Sequence, residues 1–282
     1  MKLKAFAKIN LSLRVFERRA DGYHTLESVM QSVSLCDYVT IDPIPAGIEI
    51  TCDDPRVPTG KENIVYKAVE AYYKKVDSKL GIESRKLKID NRGWKIYIEK
   101  HIPMAAGLAG GSADAAAVLY GLNLLSNIDC RLSNIELSNI ASQVGSDVPF
   151  CLTGGTCLVK GRGEIVEKLE PWPQTYFVLV NPDLAVSTKW AYDEFDRLHL
   201  TVSSRIKNDL EQVVMEKYPV IAEIKNQLLT LGCNEAQMSG SGSTVFGMSK
   251  NKNDAERICK IMREKYPKTF LVESVNIGVE NA

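Results

Sequence analysis

Pro103-Met104-Ala105-Ala106-Gly107-Leu108-Ala109-Gly110-Gly111-Ser112-Ala113-Asp114, running on through Ala115 to Leu125, is the stretch that decides how this chain is read. A loop of very small residues passes directly into a strongly helical, apolar segment. Gly107, Gly110 and Gly111 have no Cβ, so the backbone can take positive φ there and approach a ligand closely. The helix is expected to begin at Ser112. Its first free N–H groups then point back into the loop, and with the positive end of the helix dipole they make an anion site. Phosphate is the anion that most often uses such a site. Tight helix packing is the other use of such glycines, but three glycines and three alanines crowded into one loop favour phosphate. Asp114 and the glycines argue against a membrane span.

The kind of phosphate loop can be narrowed by elimination. Gly60-Lys61-Glu62 lacks the hydroxyl and the first glycine of a Walker A loop, and no Gly-x-Gly-x-x-Gly occurs. The catalytic-loop and magnesium motifs of protein kinases are absent as well. Lys95 to Lys100 alternates like a strand, so the context is strand, glycine loop, helix, with no lysine inside the loop. A cation for the transferred phosphate must come from elsewhere or from a metal.

Two distant segments bear on the same reading. Near the N-terminus stands Ala7-Lys8-Ile9-Asn10-Leu11-Ser12-Leu13, and near the C-terminus Met238-Ser239-Gly240-Ser241-Gly242-Ser243-Thr244-Val245-Phe246. With the loop at 103–113 they resemble the three motifs of the GHMP kinases, in order and over almost the whole chain. Arg19-Ala20-Asp21-Gly22-Tyr23-His24, the N-terminal Lys-x-Asn and Gly145-Ser146-Asp147-Val148-Pro149-Phe150 resemble one branch in particular. Its alcohol substrate is a methylerythritol carrying a cytidine diphosphate, in the non-mevalonate route to isoprenoid precursors.

The resemblance implies an α+β fold of two domains, a ribosomal-protein-like N-terminal half and a ferredoxin-like C-terminal half, with the active site in the cleft between them. The patterning changes after Gly161-Arg162-Gly163, which sets the expected division at 1–160 and 161–282. Expected strands lie at 29–35, 38–41, 48–52, around 155–159, 176–180, 244–248 and 269–275. Expected helices run over 63–76, 133–144, 187–195, 219–231 and 253–266. Ser133-x-x-Glu136 is a capping box. Ile9, Leu11, Leu13 and Val15 alternate with polar residues, which puts Lys8 and Asn10 on one face, opposite the core.

Roles follow from the resemblance and the chemistry together. Pro103 to Ala113 would hold the phosphates of ATP, with Ser112 adding a hydroxyl. Asn63, at a helix start, is an N-cap or a contact near the adenine. Mg²⁺ would bridge phosphate oxygens, but no carboxylate cluster announces a dedicated cage. Asp147 is the candidate acceptor of the substrate hydroxyl proton and Lys8 its partner; the plainer readings are an N-cap carboxylate and a solvated strand lysine. Tyr23 offers a stacking face and His24 polar groups for cytosine, with Tyr192 a second aromatic wall from the other half. Asn10 and Thr188 are candidates for the methylerythritol or its diphosphate. Gly240, Ser241 and Gly242 belong to a flexible loop expected to close over the phosphates or the methylerythritol end. Ala105, Ala106 and Ala109 depart from a pattern that often has glycine, and Met30 bears on pocket shape.

Composition sets the outer bounds. The 282 residues are 45% hydrophobic, with 35 basic and 35 acidic side chains that cancel. Nothing there attracts a nucleic-acid backbone or an anionic membrane. Seven scattered cysteines without Cys-x-x-Cys, and three histidines without zinc spacing, suit reduced thiols in a cytoplasmic protein. No apolar signal core opens the chain. Three rival readings stay open at this point: a GHMP-type kinase of homoserine or mevalonate, a silent ligand-binding member, and an RNA-binding protein.

Overall fold

Every odd residue from Leu3 to Val15 is apolar, and Leu3, Ala5, Ala7, Ile9, Leu11, Leu13 and Val15 are all buried. That period of two builds the long first strand, β1 (Lys2–Arg18). In the computed structural model, which describes residues 1–81, 93–127, 130–198 and 207–282, β1 is the hinge of the architecture. It pairs antiparallel with β2 (His24–Ile44), one long strand where two shorter ones were expected. Register shifts along the β1–β2 ladder absorb the irregularities.

Among the described residues the first sheet has seven strands. Its main path runs β11 (Val279–Asn281), β1, β2, β4 (Gly93–Glu99), β3 (Ile48–Cys52). Two more strands, β5 (Thr156–Gly161) and β6 (Ile165–Lys168), extend from β2. Four helices cover it: α1 (Ile64–Lys79), α2 (Gly110–Leu125), α3 (Asn134–Val144) and α4 (Val148–Thr153). The alanine-rich α2 packs directly on β1 and β2, with α1 and α4 beside it. Its Ala115, Ala116 and Ala117 let it lie close to the sheet, and all three are fully buried. The capping box at Ser133 and Glu136 is formed as expected.

The second sheet is ordered β10 (Thr269–Glu273), β7 (Tyr176–Val180), β9 (Val245–Ser249), β8 (Glu235–Met238), all pairs antiparallel. Helices α5 (Thr188–Arg197), α6 (Glu211–Lys217) and α7 (Pro219–Thr230) lie between β7 and β8, and α8 (Lys252–Lys265) between β9 and β10. This is the split β-α-β arrangement of a ferredoxin-like half. The short strands β6 and β8 and the helix α6 carry too few residues for periodicity to announce them.

The two halves are not separate beads. The first sheet runs past residue 160 to Lys168 and takes back Val279–Asn281 at its edge. Leu13 and Val15, at the far end of β1, belong to the second half's core, while Phe177, Leu179 and Phe246 reach into the first. The Leu13 N–H donates to Lys207 O at 2.7 Å, and the Val15 N–H donates to the Asp209 carboxylate at 2.9 Å. β1 thus binds both halves at the floor of the cleft between them.

Candidate active site

Chain geometry around the small-residue loop is tighter than glycine content suggests. Among its three glycines only Gly107 takes positive φ, at 75°. Ala105 and Ala109 take it too, at 50° and 58°. A left-handed alanine costs about 1–2 kcal/mol, so the surrounding packing holds the loop in this shape. The turn at Ala109 starts α2 at Gly110, two residues earlier than expected. Ser112 therefore lies inside the first turn and is not a cap; Ala109 occupies the cap position and has no side chain that could serve. The first helical bond runs from Ala113 N–H to Ala109 O at 2.9 Å. The N–H groups of Gly110, Gly111 and Ser112 precede it, at a cavity wall.

The segment from Ser239 to Thr244 clamps this loop from the second half. Thr244 N–H donates to Ala106 O at 3.2 Å, and Ser239 Oγ donates to Gly107 O at 3.0 Å. Asn208 Nδ2 donates to the carbonyls of Met238 and Gly240, both at 2.8 Å, and Ser243 Oγ donates to Leu184 O. Ser239, Ser243 and Thr244 are fully buried. The expectation of a flexible closing loop is therefore corrected: these serines are spent on fixing the segment. A Cβ on Gly107 would lie 2.1 Å from Ser239 O, so glycine is required there by close approach of the two motifs.

Lys8 and Asn10 do share one face of β1, but that face is covered, at 4% and 1% exposure. Gln237 Nε2 donates to Asn10 O at 2.6 Å, which shows what covers it. Lys8 Nζ donates to Asn10 Oδ1 at 2.6 Å, and Asn10 Nδ2 to Ser28 Oγ at 2.8 Å. The solvated-lysine reading of Lys8 is thereby overturned. Lys8 gives its ammonium to Asn10 rather than to Asp147. Asp147 occupies the cap position of α4 in helical conformation and makes no side-chain cap bond, so the capping reading falls as well. Its carboxylate is half-buried at the cavity wall. Burial, and then the nearby Asp147 charge, push the Tyr192 phenol and the Cys151 thiol well above their ordinary ranges, while Lys8 opposes the shift at Cys151.

An aromatic group also lines the cleft. Tyr23 is 51% exposed, and the Arg162 guanidinium lies 5.4 Å from its ring centre. His24 is buried, pairs through Nε2 with Asp196 Oδ1 at 2.7 Å, and stacks on Tyr192 with ring centres 5.1 Å apart. Arg18 reaches Asp196 and Asp193 at 3.5 and 3.8 Å. Tyr192 thus covers His24, and the imidazole has one ring nitrogen already committed. Thr188 Oγ1 lies 2.9 Å from Ser241 Oγ, which joins the start of α5 to the third motif.

These groups surround one cavity of about 1130 Å³ between the halves. Lys8, Asn10, Tyr23, His24, Met30, Asn63, Asp147, Thr188, Tyr192, Gly240, Ser241 and Gly242 all line it, as does the loop from Pro103 to Ser112 apart from Leu108. Leu108 and Ala113 are corrections: both are buried in the first core, where Leu108 O accepts the Lys8 N–H at 3.1 Å. Met30 is 3% exposed and forms wall rather than contact surface. Asn63 is an N-cap, accepting the Val65 N–H at 2.8 Å, and it also borders the cavity. Drug-sized sites usually span about 300–1,000 Å³, so this volume suits two substrates side by side.

Sequence reading gave no place in the site to three residues near the loop. Lys100, at the end of β4, bridges the carboxylates of Asp37 and Asp114, the latter at 2.9 Å. Asp37 Oδ1 accepts the N–H groups of His101 and Ile102 at 2.6 and 2.8 Å. Burial pushes the Asp114 carboxyl up to about 8 against the pull of Lys100, with Asp37 adding to the rise. Burial acts against the Lys100 ammonium, but the two carboxylates outweigh it and raise its pKa. The position of Lys100 immediately before the loop was the available signal. Its two partners are far away in sequence, so no local pattern exposes them. Among the described residues no group of three or more His, Cys, Asp or Glu side chains that could hold a metal ion occurs.

Comparison with known proteins agrees with this geometry. Residues 63–155 match the GHMP kinases N terminal domain, and residues 195–268 match the GHMP kinases C terminal domain. A 4-diphosphocytidyl-2-C-methyl-D-erythritol kinase of Clostridium botulinum is 39% identical over 98% of this chain and 100% of its own length. The crystal structure of a 4-(cytidine 5'-diphospho)-2C-methyl-D-erythritol kinase superposes with a TM-score of 0.80 at 29% identity, covering 97% of this chain and 99% of that one. A homoserine kinase from Cytophaga hutchinsonii, at 21% identity and a TM-score of 0.72 over 99% and 96%, shares the fold. Three motifs meeting in one cleft, both halves of the fold and full-length relatives lead to one assignment: the chain belongs to the GHMP kinases and, within them, to the 4-diphosphocytidyl-2-C-methyl-D-erythritol kinase family.

Proposed function

We propose that this chain transfers the γ-phosphoryl group of ATP, carried with Mg²⁺, to the 2-hydroxyl of 4-diphosphocytidyl-2-C-methyl-D-erythritol. The reading is supported above all by one observation: a single cavity is lined by the helix-start residues Gly110 to Ser112, by exposed Tyr23, and by Lys8 and Asp147. Phosphoryl transfer passes through a loose transition state, so the protein's task is to align two substrates and balance charge. In this reading the Gly110–Ser112 amides hold the triphosphate. The Tyr23 ring stacks on cytosine, with Arg162 near the same face. Asp147 accepts a hydrogen bond from the substrate hydroxyl, orients its oxygen and takes the proton late. Lys8, fixed by Asn10, supplies positive charge beside the transferred group, and Mg²⁺ neutralises phosphate oxygens without a dedicated protein cage.

The division of labour follows the two halves, with the nucleotide loop in the first and the clamp and Thr188 in the second. No helix among the described residues is long and apolar enough to cross a membrane. All seven cysteines are unbonded thiols, which supports a reducing, cytoplasmic setting. The test is a steady-state comparison of three alcohols with ATP: the cytidyl-methylerythritol, homoserine and mevalonate. Turnover confined to the first supports the proposal. Faster turnover with either of the others replaces it.

A further inference from the structure

Lys100, Asp37 and Asp114 form a buried ionic group that the chemistry above does not use. It lies against the first turn of α2: a Cβ on Gly110 would stand 3.2 Å from the Lys100 ammonium. Asp37 is saturated, with Oδ2 on Lys100 and Oδ1 on two backbone N–H groups. Asp114 is not. Its Oδ2 accepts from Lys100 at 2.9 Å, while its Oδ1 is buried with no hydrogen-bond partner among the described residues. The residue is 3% exposed, and both it and Lys100 border the cavity.

Once Asp114 is ionised, in solution above about pH 8, two carboxylates against one ammonium leave a surplus negative charge. It sits within about one helical turn of the amides proposed to receive phosphate. Repulsion across so short a path is poorly screened in a buried site. We propose that Asp114 is a positioning residue that takes up a proton from solvent as nucleotide phosphate seats at the start of α2, so that Lys100 and Asp37 keep holding the loop while the group falls to zero net charge. The new O–H bond forms on Asp114 as the buffer acid that delivers the proton loses its own bond to hydrogen, and no heavy-atom bond changes. This inference rests on the nucleotide reading of the loop.

The groups facing Asp114 are Lys100 and Asp37 from the sheet side and the Cys151 thiol from α4. Cys151 stays protonated, because burial raises it well above the thiol range. Asp114 therefore is the member of this set free to change charge in mildly alkaline solution. Burial has already brought its carboxyl into that range.

The test is calorimetric titration of the full chain with magnesium ADP at about pH 8.5, in Tris and in HEPPS, whose ionisation heats differ. The wild type is expected to take up a substantial fraction of a proton per nucleotide, and Asp114→Asn none. Wild-type affinity is expected to weaken about tenfold between about pH 7 and pH 9.5, with the Asn variant nearly flat. Identical heats in both buffers for the wild type, or proton uptake that persists in Asp114→Asn, overturn the inference and leave the nucleotide site standing. Absence of any ADP binding overturns the nucleotide reading and the inference together.

Discussion

Gly107→Ala puts a methyl group where the small-residue loop meets the third motif. Three effects combine. The residue has φ of 75°, and an alanine held there costs about 1–2 kcal/mol, offset by about 0.4–1 kcal/mol from a stiffer unfolded chain. The new Cβ would stand 2.1 Å from Ser239 O, so the clamp must retreat by about 1 Å to restore ordinary contact. That retreat strains the bonds from Thr244 N–H to Ala106 O, from Ser239 Oγ to Gly107 O, and from Asn10 N–H to Ser239 Oγ. At about 1 kcal/mol each, the total destabilisation is about 3–4 kcal/mol. For a chain of this size the thermal midpoint should fall by on the order of 5–10 °C. A misplacement of about 1 Å at the loop should also cost about 100-fold in kcat/KM. Differential scanning fluorimetry and steady-state kinetics with ATP read both effects. A variant that melts within about 1 °C of wild type, with unaltered kcat/KM, refutes the claim that the third motif holds the loop by direct contact.

Asp147→Asn should lower kcat by about 10²–10⁴ while leaving KM for ATP and the thermal midpoint unchanged, because the carboxylate makes no cap bond; a loss of stability with intact turnover would return it to a structural role. Tyr23→Ala should raise KM for the cytidyl substrate about 10-fold without altering stability, since its ring is half exposed. Equal KM values would take Tyr23 out of the site. The Asp114 carboxyl titrates at about 8 in the fold, against 3.8 for the free group. The native state therefore holds the extra proton, and this stabilising contribution is lost as pH rises through that window. Wild-type urea midpoints should accordingly fall relative to those of Asp114→Asn between about pH 5 and pH 9, and parallel curves would contradict the shift.

Much of the fold can be read from local order. Odd-numbered burial in β1, the capping box at Ser133 and the amphipathic α7 follow from periods and caps that neighbouring residues set. The halves' junction is less local: Val279–Asn281 returns to β1 across nearly the whole chain, which no window of sequence can contain. At the site, residue types in the three motifs point to phosphate chemistry, but their geometry depends on contacts between motifs. The helix was expected to begin at Ser112, but the left-handed turn at Ala109 moves its start ahead to Gly110. The third motif looked flexible because it is glycine-rich, yet partners from distant segments, Asn208, Leu184 and Ala106, bind it. Lys100, Asp37 and Asp114 meet only because β2, β4 and α2 converge.

The most direct test of the account is the fate of the phosphoryl group. Incubation of the purified chain with magnesium ATP and 4-diphosphocytidyl-2-C-methyl-D-erythritol, followed by ³¹P NMR, should show ADP and one new phosphomonoester at the 2-position, with the cytidine diphosphate intact. Phosphate released to water, transferred to another hydroxyl, or not transferred at all would contradict it.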